Sequence, residues 1–165
     1  MNYLLTIDPG ARYAAWALWD AAGLVEARQT PDSNALRTII QNVAGPTHAY
    51  VANVVAVQPR SPGGIDVLVE LPQEYADDKE ERSKDLFRVA ATAGALAFAF
   101  DVPGNTVKFV RPPEWKGQVP KRVHHARALT VLSAREQSRI YSTPKVHHNV
   151  MDAVAMGLWA RRRIR

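Results

Sequence analysis

Three carboxylates stand where apolar segments stop or start, and they constrain this chain more than any other feature. Leu4-Leu5-Thr6-Ile7-Asp8-Pro9-Gly10 reads as an apolar strand that ends on Asp8 just before a turn. Val67-Leu68-Val69-Glu70 reads as a second apolar strand that ends on Glu70 and is stopped by Pro72. Asn149-Val150-Met151-Asp152-Ala153 places Asp152 early in a helix. Open α/β sheets carry their sites at the C-terminal ends of their strands. Asp8 and Glu70 therefore meet if their strands are neighbours, and Asp152 joins them if the last helix packs across that end. Magnesium takes hard oxygen ligands and keeps several waters, so three protein carboxylates suffice. Two such ions could activate a water and stabilise the leaving 3′-oxygen of a phosphodiester.

The rest of the chain is compatible with that chemistry. Its 165 residues fit one domain of ordinary size, and its 47% hydrophobic content can build a core. No cysteine is present, which excludes disulfides, thiolate zinc sites and cysteine nucleophiles. The longest apolar run, Val89 to Phe100, is too short for the roughly 20 residues of a membrane span, and no basic run precedes the first apolar stretch. The expectation is a soluble cytoplasmic protein. Charge is unevenly spread. Residues 1–106 carry 8 Lys/Arg against 13 Asp/Glu, or −5, whereas residues 107–165 carry 13 against 3, or +10. A basic half beside an acidic half suits a polyanion gripped on one side and a metal held on the other.

Periodicity predicts three short strands, Tyr3 to Asp8, Tyr13 to Trp19 and Leu24 to Arg28, joined by tight turns as an antiparallel meander. A helix start is expected at Thr30-Pro31-Asp32-Ser33-Asn34, with Leu36, Ile39, Ile40 and Val43 inward. Gln58 to Gly64 reads as a loop. Ser83 to Phe100 reads as a long helix with Leu86, Val89, Ala90, Ala93, Ala97 and Phe100 on one face. Gly94 in its middle costs roughly 1 kcal/mol against alanine and predicts a close packing partner. Val107 to Val110 is a strand, Arg111 to Pro120 a loop, and Lys121 to Ser133 a helix with Val123, Ala126, Leu129 and Val131 or Leu132 inward. A short helix over Ser133 to Tyr141 and a last helix over Asn149 to Arg163 follow. The later strands are reached by helical crossovers and should run parallel. The expected fold class is α/β: a mixed five-stranded sheet flanked by helices, one domain over residues 1–165 with a basic C-terminal tail.

These motifs, in this order, resemble those of the RuvC-type Holliday-junction resolvases, which have the ribonuclease H-like fold. Ile7-Asp8-Pro9-Gly10 with Trp16-Ala17-Leu18 resembles the first motif, Val69-Glu70 the second and Asp152-Ala153-Val154-Ala155 the last. Trp115-Lys116-Gly117-Gln118-Val119-Pro120-Lys121 and His148-Asn149-Val150-Met151-Asp152-Ala153 look like variants common in phage-encoded members. The resemblance runs from about Leu4 to about Trp159. It implies a homodimer that nicks a four-way junction symmetrically with Mg²⁺, for which Mn²⁺ can substitute, without a nucleotide cofactor or a membrane. If phage-encoded, the protein would act in the host cytoplasm.

Residue by residue, the resemblance makes Asp8, Glu70 and Asp152 metal ligands. The family's fourth ligand falls on Asn149, whose amide oxygen brings no charge, and His148 lies on the same helical face. Register favours Asn149 and chemistry favours His148. Lys108, Lys116 and Lys121, the last followed by Arg122, fall where the family keeps catalytic or phosphate-binding lysines, with Lys121 the best match. Tyr75 lies near the position of an aromatic wedge at the junction centre, although Gln73 holds the usual place. Arg161, Arg162 and Arg163 form a basic tail suited to junction arms, and equally to solubility. Trp115 could stack on a base or cap the core. His124-His125 and His147-His148 are poorly placed for zinc, because adjacent histidines point to different helix faces. Two other activities fit the same residues: a ribonuclease H-like nuclease acting on RNA or RNA–DNA hybrids, and a junction-binding protein that does not cut. A sugar-kinase-like ATPase shares the opening strand and turn, but its two-lobed fold needs a longer chain.

Overall fold

The computed structural model describes residues 3–10, 13–31, 64–72, 80–101, 103–140 and 148–164. The first three strands are β1 (Tyr3–Asp8), β2 (Tyr13–Asp20) and β3 (Gly23–Pro31). They form the expected antiparallel meander, with Leu5 opposite Leu18 and Ala17 opposite Ala27. The β2–β3 turn is tied by Asp20, whose carboxylate accepts the N–H groups of Ala22 at 2.8 Å and Gly23 at 3.1 Å. β4 (Ile65–Glu70) then pairs parallel with β1, and β5 (Thr106–Val110) pairs parallel with β4. The sheet order is β3-β2-β1-β4-β5, so the two acid-bearing strands, β1 and β4, lie side by side at its centre.

Helices cover both faces. α1 (Glu80–Phe100) packs Ala93, Leu96, Ala97 and Phe100 on the sheet face made by Leu5, Ile7, Trp16, Val67 and Val69. On the other face lie α2 (Pro112–Lys116), α3 (Lys121–Val131), α4 (Ala134–Gln137) and α5 (His148–Ala160). There α5 buries Val150, Met151, Ala153, Val154 and Leu158 with Ala15, Ala17, Trp19 and Leu68. The closest approach is at Gly157, where any Cβ would run into the indole of Trp19. A second tie is polar. The Thr6 hydroxyl, in the middle of β1, donates to the Ala153 carbonyl at 2.7 Å across 147 residues of sequence.

Several expectations are corrected. β3 continues to Pro31, which pairs with Tyr13, so Thr30-Pro31 ends a strand instead of starting a helix. An edge strand tolerates proline because one side of its backbone has no partner to lose. The expected helix over residues 34–43 and the loop over 58–63 lie outside the described residues. Residues 112–116, expected as loop, form a helical turn, because proline is suited to the first helical position, where its missing N–H costs nothing. In α1, Ala90 is exposed and Leu96 is buried in its stead. In α3 the inward residues are His124 and Ala128, while Val123, Ala126, Leu129 and Val131 are exposed. The polar site next to α3, which needs its charged residues, displaces the apolar stripe that periodicity suggests. Leu132 is buried, as expected.

Candidate active site

The sheet places the three acids from backbone geometry alone. Side chains alternate along a strand, so Asp8 shares a face with Thr6, and Glu70 shares one with Leu68. Thr6 binds the Ala153 carbonyl, and Leu68 lies in the core beneath α5. Both acids therefore face α5, one residue past the paired Ile7 and Val69. Asp152 adjoins Ala153 on that helix. The end of β1, the end of β4 and the start of α5 are thus drawn together by a sheet register and one hydroxyl bond. Asp8 and Asp152 are buried, and Glu70 is half-buried.

Three like charges in so little water disturb one another. Burial pushes the Asp8 carboxyl well above its usual range, and the charges of Glu70 and Asp152 push it further. Burial raises Glu70 to about 7, against the pull of Lys116. Asp152 moves the other way. Burial acts to raise it, but hydrogen bonds from His125 and Lys121 outweigh that and hold it below its usual value. His125 Nε2 lies 2.7 Å from Asp152 Oδ1, and Lys121 Nζ is paired with Oδ2. Trp115, buried under α2, donates its indole N–H to Glu70 Oε2 at 3.0 Å. Lys116 lies over the Trp115 ring at 5.0 Å, and His124 meets that ring edge-on at 5.1 Å. Burial, with the charge of neighbouring His125, lowers the His124 pKa.

The other residues singled out from sequence lie at both ends of the sheet, some beside this centre and some, such as Lys108 and Arg161, at the far end. Asn149 is half-buried beside the turn after Asp8, its Nδ2 3.6 Å from where a Cβ on Gly10 would stand. His148 is exposed at the first position of α5. Lys121 and Arg122 open α3. Lys108 and Arg161 line one cleft with Asp66 and Thr106, while Lys116 and Arg162 line another with Trp159. Arg161 also lies over the Trp19 ring at 5.9 Å. Arg163 is held within the fold, donating to Glu136 at 2.5 and 2.9 Å and to the Val131 carbonyl at 2.9 Å. Tyr75 and His147 lie outside the described residues. Sequence reasoning missed His125 as a partner of Asp152. The available signal was its spacing of four from Lys121, which puts both on one helical face.

The donor set suits a hard divalent cation: carboxylate oxygens, two of them destabilised as anions by burial and mutual repulsion. Among the described residues, however, no three Asp, Glu or His side chains form a ready-made metal cage. Lys121 and His125 occupy Asp152, and Trp115 occupies one oxygen of Glu70.

The strand order, the parallel crossovers and the flanking helices define a ribonuclease H-like fold of the RuvC type. Compared by structure, the chain is similar to RuvC of Thermus thermophilus. A structure of that protein superimposes with a TM-score of 0.51 at 18% identity, over 97% of this chain and 96% of that one. T. thermophilus RuvC in complex with a Holliday junction substrate gives 0.50 at 16% identity over the same shares. At such identities the likeness is one of fold. No family model matches the sequence, and no curated protein matches it.

Proposed function

We propose that this protein is a metal-dependent, structure-selective endodeoxyribonuclease that resolves Holliday junctions and other branched DNA by symmetric nicking. The observation that carries the proposal is the convergence of Asp8, Glu70 and Asp152 at one end of a RuvC-type sheet, ringed by Lys116, Lys121 and His125. The similarity to a protein seen with a Holliday junction substrate supports the choice of DNA substrate.

Asp8, Glu70 and Asp152 would hold Mg²⁺ or Mn²⁺, with Asn149 or His148 completing the set. When bound, a divalent ion supplies acidification of the attacking water and charge stabilisation of the leaving 3′-oxygen. The chain's own residues do the rest. Trp115 fixes the rotamer of Glu70 through one oxygen and leaves the other available. His125 orients Asp152. Lys121, with its ammonium already at the site, neutralises charge that develops on the scissile phosphate. Lys116, Arg122, Lys108, Arg161 and Arg162 give the +10 half of the chain its hold on phosphates, Arg163 being engaged by Glu136 instead, and Tyr75 stacks at an opened junction centre. Paired nicks on a four-way junction call for a homodimer. No helix among the described residues is long and apolar enough to cross a membrane, and the action proposed is in the cytoplasm, without a nucleotide cofactor.

The Lys121–Asp152 ion pair favours a second reading, a junction-binding protein that does not cut, because a lysine there already balances a charge that a metal would balance. One experiment separates the readings. A labelled four-way junction is incubated with the protein in Mg²⁺ and in Mn²⁺, beside linear duplex, flap, fork and RNA–DNA hybrid. Paired nicks on the junction that vanish in Asp8→Asn support the resolvase. Binding without nicks in either metal supports the second reading, and preferred cutting of the hybrid moves the substrate to RNA.

A further inference from the structure

The three arginines after α5 are set in three different places. α5 closes with the paired bonds of a glycine-type helix stop: the Arg162 N–H donates to the Trp159 carbonyl and the Arg163 N–H to the Leu158 carbonyl, both at 2.8 Å. The residue at the hinge of that stop is Arg162. Its φ of 57° makes it, among the described residues, the one non-glycine with left-handed backbone. Glycine adopts that conformation freely and is the usual choice there. A side chain with a Cβ is disfavoured, so something besides the helix stop calls for this arginine. Arg163 is held by Glu136, and Arg161 reaches the Ala21 carbonyl and the Trp19 ring. No hydrogen bond or ion pair with another described residue holds the Arg162 guanidinium, which is exposed.

Arg162 stands instead at a cleft of about 410 Å³ between the turn after α5 and the turn after α2. That volume is in the range of small-ligand pockets, and the whole lining belongs to the described residues. Trp115, Val119, Trp159 and Ile164 make the lining apolar, and Lys116 and Arg162 add two cations. Its one acid, Glu114, is turned back on its own helix, where it accepts the Arg111 N–H at 2.9 Å. Trp115 belongs to the cleft and to the acidic site at once, because its N–H donates to Glu70 Oε2 at 3.0 Å. Lys116 rests over the same ring at 5.0 Å. A half-buried indole, that of Trp159, beside two cations has the makings of a nucleotide site: a flat apolar face for the base and positive charge for the phosphate. A duplex keeps its bases paired and stacked, out of reach of Trp159, so the nucleotide must come from an unpaired strand.

We infer that this cleft binds one nucleotide of an unpaired DNA strand, its base against Trp159 and its phosphate between Lys116 and Arg162. The use of the cleft rests on the nuclease reading: an opened junction supplies unpaired nucleotides, and seating one behind Trp115 leads the strand past Glu70. The test uses the full chain in metal-free buffer with an oligothymidylate of about six nucleotides. Trp16, Trp19 and Trp115 are buried, so quenching of tryptophan fluorescence by the strand is expected to report Trp159 and to vanish in Trp159→Phe. The Kd for a labelled strand should rise about tenfold in Trp159→Leu and in Arg162→Gly, and Arg162→Lys should keep most of the affinity. Arg162→Gly should nevertheless melt no lower than the parent, because glycine relieves the backbone at that position. Unchanged binding in Arg162→Gly, or weakened binding with a lower melting temperature, would overturn the inference. So would equal quenching by a hairpin duplex, equal affinity for thymidine 5′-monophosphate, which marks a site for free nucleotides, or equal affinity for an oligoglutamate, which marks a peptide site. None of these measurements depends on cleavage. A protein that binds the strand but cuts no junction would overturn the nuclease reading and leave the cleft, and one that cuts junctions with a cleft blind to the strand would do the reverse.

Discussion

At the scale of the residue, the site is a contest between burial and charge. Glu70 sits at about 7, above the 4.5 of an ordinary glutamate. A raised folded-state pKa contributes stability that is fully present below pH 4.5 and is lost as pH rises through about 7. A divalent ion binds the ionised carboxylate and displaces that proton. Mn²⁺ is therefore expected to raise the melting temperature more at about pH 8 than at about pH 6; equal shifts in a calorimetric series would remove Glu70 from the ligand set. Trp115→Phe keeps an aromatic side chain but removes part of the buried indole and its hydrogen bond to Glu70, at a stability cost of about 1–3 kcal/mol. Junction cleavage is expected to fall about tenfold with binding unchanged, and single-turnover kinetics would show it. Asp8, Glu70 and Asp152 were readable in the sequence because strand ends and helix starts are local signals. For His125 the spacing from Lys121 shows only a shared helical face; that this face meets Asp152 is set by packing. The apolar residues of α3 pointed to the wrong face for the same reason.

At the scale of the element, two contacts fix where the helices can lie. Gly157 lets α5 approach β2, and a methyl group there strikes the Trp19 indole. Gly157→Ala is expected to cost about 1–3 kcal/mol by overpacking and to lower activity by moving Asp152, as paired denaturation and cleavage assays would show. Glu136, buried at the start of α4, accepts from the Leu24 N–H at 3.1 Å, from Ser133 and from Arg163. The Arg163 hydrogen bond is the chief reason its pKa falls from 4.5 to about 2. That depressed value gives stability present above about pH 4.5 and lost as pH falls towards 2, worth roughly 3 kcal/mol. Glu136→Gln should flatten acid unfolding in that window and lower stability near neutral pH. The parallel or antiparallel sense of the strands was legible from loop lengths and crossovers, whereas the order that seats β4 beside β1 was left open and came from the fold. The helical turn at 112–116 was hidden because two prolines read as a breaker unless the capping geometry is known.

At the scale of the whole molecule, charge and topology act together. Of the basic residues behind the +10 of residues 107–165, Lys116 and Lys121 stand beside the acids, whereas Lys108 and Arg161 line a cleft at the opposite end of the sheet. Junction binding is expected to weaken steeply between about 50 and 200 mM salt, by roughly a hundredfold or more; a flat titration would sink the phosphate-grip assignment. The ionic half was visible in the sequence, whereas its division between the acidic end of the sheet and the opposite end needed the fold. The bond from the Thr6 hydroxyl to the Ala153 carbonyl has a further consequence, for the timing of activity in the cell. It joins the first strand to the last helix, 147 residues apart. A ribosome delivers Asp8 and Glu70 long before Asp152, so a growing or clipped chain holds two acids without the third. On the proposed function, the acidic site is complete only when the closing helix docks, which would keep the growing chain inactive until its synthesis ends.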